Sequence, residues 1–123
     1  MGTPTDLAYL GQAWLDPEFL SPTVRDSFWT PQRLNSGEVN AQNYALGWRW
    51  TETEFDTLGT IGFAHHGGVS RGAQAFLLVF PEEDMVIAFM INTKTESFAE
   101  FGLFYRELVE IFAPLARSQS ERP

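Results

Sequence analysis

With 123 residues, the chain has room for one domain with its own core, and a 44% hydrophobic, 15% aromatic composition excludes intrinsic disorder. A formal charge of −8, with Lys94 the single lysine, argues against nucleic acid and anionic membranes as partners. No apolar run approaches the roughly 20 residues of a membrane-spanning helix, and zero cysteines exclude disulfides, thiolate metal sites and a cysteine nucleophile.

Thr3-Pro4-Thr5-Asp6 has the composition of a helix start: a capping threonine, proline at the first helical position, and an acid three residues after the cap. Leu7, Leu10, Trp14 and Leu15 follow at helical spacing until Asp16-Pro17 stops the run. Ser21-Pro22 opens a second, shorter helix with Val24 and Phe28, which Pro31 ends, and residues 35–42 form a polar loop. From Tyr44 the period changes to two. Tyr44, Leu46, Trp48 and Trp50 alternate with Ala45, Gly47 and Arg49, which predicts a half-buried strand with Arg49 on its solvated side. An acidic loop is expected over residues 51–58, then a strand near residues 60–66.

Residues 73–80 and 85–92 are nearly continuous apolar runs around Pro81-Glu82-Glu83-Asp84, a hairpin whose strands are covered on both faces. Ser97-Phe98-Ala99-Glu100 is a second capping box. Phe101, Phe104, Leu108, Ile111, Phe112 and Leu115 then give a helix one broad apolar face, expected to lie on the sheet. The order predicts an α+β domain over residues 1–116, an antiparallel sheet with amino- and carboxy-terminal helices packed on it. Residues 117–123 are expected to be a disordered tail.

Chemistry concentrates in Phe63-Ala64-His65-His66-Gly67-Gly68-Val69-Ser70-Arg71-Gly72, where two histidines end an apolar strand before a glycine-rich turn. A histidine there can donate a hydrogen bond or positive charge to a carboxylate or oxyanion, or be a strand-end residue with its hydrogen bonds satisfied. Adjacent strand residues point to opposite faces, so His65 and His66 cannot both serve one pocket from a regular strand. Without His-x-x-x-His spacing or a thiolate, no metal or cofactor site is expected. Gly68-Val69-Ser70-Arg71-Gly72 matches the Gly-x-Ser-x-Gly elbow, but that motif needs a helix after the turn and an apolar strand follows. Ser70 is therefore read as a turn residue, with Arg71 at the rim of a pocket.

The motifs Thr3-Pro4-Thr5-Asp6-Leu7, Leu20-Ser21-Pro22, Thr30-Pro31-Gln32, Tyr44-Ala45-Leu46-Gly47-Trp48, His65-His66-Gly67-Gly68 and Ile91-Asn92-Thr93 stand in this order along the chain. Together they resemble the carboxy-terminal part of serine β-lactamase-like proteins: class C β-lactamases, D-alanyl-D-alanine carboxypeptidases and related esterases. The resemblance spans Thr3 to about Leu115. It implies a partial β-lactamase/transpeptidase-like fold and acyl transfer from an amide or ester to serine and then water.

Of the three active-site elements in that family, only the Lys-Thr-Gly or His-x-Gly strand has a counterpart, with His65, His66 and Gly67 in its three positions. Ser-x-x-Lys is absent, since Ile91 stands three before Lys94. Tyr-x-Asn is absent too, since Tyr9, Tyr44 and Tyr105 are followed two residues later by Gly11, Leu46 and Glu107. The resemblance thus implies no catalytic residue in this chain and a substrate wall of His65, His66 and Gly67, rimmed by Ser70, Arg71 and Gly72. The alternatives are a non-catalytic interaction or ligand-binding module and a small esterase using Ser70. In the family, two strands from upstream sequence complete the sheet, so residues 85–92 would be left as an open apolar edge. The expected partner is a second copy joined edge to edge or a complementary amino-terminal chain, with a small amide or ester as substrate once completed.

Overall fold

The computed structural model describes residues 2–93 and 95–120, with side chains in the last helix described for 103–115. Lys94 and residues 121–123 lie outside the described residues, as do the side chains of Phe98, Glu100 and Phe101 on which the second capping box and the start of the last apolar face were expected.

Helix α1 (Pro4–Leu15) begins as its sequence dictates. The Thr3 hydroxyl accepts from the Asp6 amide, and the Asp6 carboxylate accepts from the Thr3 amide, each at 3.1 Å. Helix α2 (Pro22–Phe28) is capped by Ser21 on the Val24 amide. Strands β1 (Arg49–Phe55), β2 (Gly59–Val69), β3 (Gln74–Phe80) and β4 (Met85–Ile91) form an antiparallel sheet in the order β1-β2-β3-β4, and α3 (Phe98–Ser120) follows. The fold is α+β, with the amino-terminal helix packed on the sheet. Within the segment expected as a tail, α3 is helical to Ser120.

Two strand assignments differ from the expectation. The first strand is residues 49–55, so most of the expected acidic loop is strand and the segment from Tyr44 to Gly47 is a turn. Asn43 (φ 52°) and Gly47 (φ 76°) adopt left-handed conformations, and the Ala45 amide reaches the Trp48 carbonyl at 2.7 Å. The true alternation is Thr51, Thr53 and Phe55 inward against exposed Glu52 and Glu54; β-branched threonines suit a pleated strand and its outer face accepts charge. Strand β2 also runs on to Val69, so Gly67 and Gly68 are strand residues and the turn begins at Ser70.

The sheet separates two cores. On one face Phe55, Ile61, Phe63, Phe76, Leu78 and Phe80 pack under Val109 and Ala113 of α3. On the other, Trp48, Ala64, Leu77 and Val79 meet Trp29, with Leu7, Trp14, Leu15 and Phe28 of the first two helices around them. Burying aromatics of this size supplies most of the driving force. Helix α1 approaches β4 and β3 at Gly11, where a Cβ would fall 2.6 Å from Val86 Cγ1.

The broad apolar face of α3 does not lie on the sheet as expected. Val109 and Ala113 are fully buried, while Phe104, Ile111, Phe112 and Leu115 are 59%, 58%, 49% and 56% exposed. Tyr105 packs against Phe55 and Phe63, and Arg106 reaches the Glu54 carbonyl at 3.0 Å. These contacts set the rotation of the helix. Arg106 and Glu110, which accepts a hydrogen bond from Thr57, hold one flank to the β1 side. At 100° per residue the exposed stripe falls on the opposite flank, where Phe104 meets Phe89 of β4.

Candidate functional site

The pleat of β2 sends its two histidines to opposite faces, as expected. His65 is paired with Arg49 on β1 and Leu78 on β3, so it joins the α3 face. Its ring stacks on Phe76 with centroids 5.7 Å apart, touches Phe63 at 5.3 Å, and places Nε2 2.8 Å from the Thr51 hydroxyl. Burial, then the Arg49 guanidinium and then His66 push its pKa down from 6.5 to about 4. His65 is a neutral ring at neutral pH: it can exchange a hydrogen bond but carries no positive charge for a carboxylate.

His66 faces the α1 side. Its Nδ1 is 2.9 Å from the Gly67 carbonyl and its Nε2 is 3.0 Å from the Tyr44 hydroxyl. A carbonyl oxygen only accepts, so Nδ1 carries the proton, and in the neutral ring Nε2 accepts from Tyr44. Tyr44 is held from behind. Its amide donates to Asn40 Oδ1 at 2.8 Å, and its carbonyl accepts from Asn40 Nδ2 at 2.9 Å and from the Gln32 amide at 2.8 Å. Arg49 lies with its guanidinium carbon 5.8 Å from the Tyr44 ring centroid and donates to Gln42 Oε1 at 3.0 Å. It is half-buried rather than the solvated strand residue expected.

His66, Gly67 and Gly68 line a cavity of about 430 Å³ with Leu7, Leu10 and Trp48. Its wall is mainly apolar, and His66, which Tyr44 holds from outside the lining, is its one titratable side chain. A compact apolar group carrying one hydrogen-bonding end fits such a surface. His65 is not among the lining residues. Ser70, Arg71 and Gly72 are exposed in the turn that follows. There the Ser70 hydroxyl donates to the Ala73 carbonyl at 3.3 Å, and the Ser70 amide donates to the same oxygen at 2.9 Å. The setting is strand–turn–strand, which lacks the helix that a nucleophile elbow requires.

Of the expected wall, the structure brings His66 and Gly67 together and sends His65 to the other face. Tyr44, Asn40 and Thr51 are additions. Asn43 and Gly47, both residues that tolerate a positive φ, were the signal that Tyr44 belongs to a turn.

A family model described as Beta-lactamase matches residues 1–110. Comparison with curated proteins and with solved structures yields no match. The matched span holds both helices of the α1 side, the whole sheet, and the His65–Gly67 strand with the cavity beside it. The chain belongs to the beta-lactamase family.

Proposed function

We propose that this chain supplies one wall of an acyl-transfer pocket in a serine hydrolase of this family, and that the acylating serine and its lysine come from sequence outside these 123 residues. The observation that carries this is the pairing of His66 with Tyr44 beside an apolar cavity at the His-x-Gly strand, in a chain without Ser-x-x-Lys. Without a nucleophile there is no acyl-enzyme. The role of this chain is to hold the acyl group and offer hydrogen bonds at one end of it. His66 and Gly67 form this wall in the proposal, with Ser70, Arg71 and Gly72 at its rim, while His65 backs the strand from the opposite face of the sheet.

The element that completes the site joins at β4. That strand is an end strand of the sheet, and the exposed stripe of α3 flanks it. A strand whose outer edge is open beside an apolar helix face is a template for another strand. A complementary chain or segment carrying the serine would add there; pairing with a second copy is the alternative.

The test is turnover of nitrocefin and of short-chain p-nitrophenyl esters by the purified chain, with Ser70→Ala as control. No turnover is expected from either protein. Turnover that Ser70→Ala abolishes would replace this proposal with a small esterase, and no gain on adding a Ser-x-x-Lys-bearing segment that binds the chain would leave a ligand-binding module instead.

A further inference from the structure

A second cleft, of about 540 Å³, lies at the other end of β2, between α2 and the sheet. Thr60 and Gly62 belong to its wall, roughly 13–20 Å along the strand from His66 at about 3.3 Å per residue. We propose that it binds a small organic cation bearing an oxygen acceptor close to the charge, an amino-alcohol type of ligand.

Its aromatic side is built rather than incidental. Trp29 and Trp50, which both line the cleft, stack with centroids 5.9 Å apart and planes 22° from parallel. Trp50 lies so close to β2 that a Cβ at Gly62 would fall 2.5 Å from its Cζ2, so only glycine leaves room for the indole. The chain itself demonstrates the preference of this wall: the Arg25 guanidinium carbon sits 5.1 Å from the Trp29 ring centroid.

The charges point the same way. Asp26, Glu52 and Glu82 line the cleft against the single guanidinium of Arg25, which is paired with Asp26 at 3.3 Å. Neither Glu52 nor Glu82 has an ion pair among the described residues. Three carboxylates to one cation disfavour an anionic ligand and leave two acids to neutralise a positive one. A polar contact is also left open. Trp29 is 3% exposed and its indole Nε1 has no hydrogen-bond partner among the described residues, so a ligand oxygen that reached it would satisfy a buried donor. A compact inorganic cation would choose oxygen ligands alone; a diffuse organic one gains from the indoles as well.

The indole N–H resonances of the isotopically labelled chain, titrated with choline, test the inference. Those of Trp29 and Trp50 should shift saturably in the millimolar range. The uncharged isostere 3,3-dimethylbutanol, which keeps the hydroxyl, should leave them in place. The double variant Glu52→Gln/Glu82→Gln should weaken choline binding by about tenfold or more; both acids are exposed, so the variant keeps the fold, and its unchanged remaining spectrum verifies this. Equal shifts with the isostere, a shift that never saturates, or undiminished binding by the double variant would each overturn the inference. None of these readouts depends on the acyl-transfer proposal.

Discussion

The Thr51 hydroxyl and His65 Nε2 stand 2.8 Å apart across the β1–β2 ladder, and this pair ties the candidate histidine to the core side of the sheet. His65 holds a folded pKa of about 4 against 6.5 for the free side chain. Between those values the unfolded chain takes up a proton that the folded chain refuses. The stabilisation from a neutral His65 is therefore complete above pH 6.5 and is lost as pH falls toward 4, by up to about 3 kcal/mol. Urea midpoints at pH 7.5 and pH 4.5 should show this loss. His65→Gln should flatten the dependence, and an equal slope in the variant would assign it to other groups.

Asn40 makes three side-chain hydrogen bonds, two to the Tyr44 backbone and one to the Gln32 carbonyl. Asn40→Ala leaves the partly buried Tyr44 amide unpaired and removes one of the two donors to each of the Tyr44 and Gln32 carbonyls, so a loss of about 1–3 kcal/mol is expected. Tyr44→Phe removes only the exposed contact to His66 and should cost less than about 1 kcal/mol. Chemical denaturation of the two variants checks the order. A larger loss for Tyr44→Phe would mean the hydroxyl, not the turn, holds this end of the sheet.

Gly11 is buried against Val86, Leu77 and Val79. Gly11→Val should push α1 off the sheet, and overpacking of this kind costs about 1–3 kcal/mol. Gly11→Ala should cost less, because alanine recovers about 1 kcal/mol of helix propensity. Thermal melts of both variants measure the difference; a stabilised valine variant would show that α1 is not seated on β4.

Exposed Phe104, which meets Phe89 of β4, with exposed Phe112 and Leu115 on the same helix, and an outer edge of β4 that no strand pairs among the described residues, predict self-association of the isolated chain. A twofold pairing of β4 with its copy runs the two strands antiparallel, so the acidic turn of each falls at opposite ends and does not repel the other. Light scattering should give a mass above the 13.9 kDa of one chain. Met90→Lys with Phe112→Glu should return it to that value. A folded wild-type monomer at micromolar concentration would remove the edge-pairing proposal.

Local chemistry made much of the fold legible in the amino-acid order. Thr3 and Ser21 announce the two helices they cap, Asp16-Pro17 ends the first, and the apolar runs around Pro81–Asp84 form the hairpin. Each rests on an interaction within a few residues. The first strand was harder to place because glutamates at 52 and 54 resemble a loop until their threonine neighbours are seen facing a core.

The sequence by itself determined the family, the alternation that parts His65 from His66, and the absence of Ser-x-x-Lys. Tertiary structure alone decided the rotation of α3, because Phe104, Ile111 and Phe112 are as apolar as the Val109 and Ala113 that are buried; Tyr105, Arg106 and Glu110 choose between the two faces through contacts with distant strands. It also chose His66 over His65 for the cavity. Strand period fixes only that the two rings diverge, and which face holds the opening depends on where α1 and α3 come to rest.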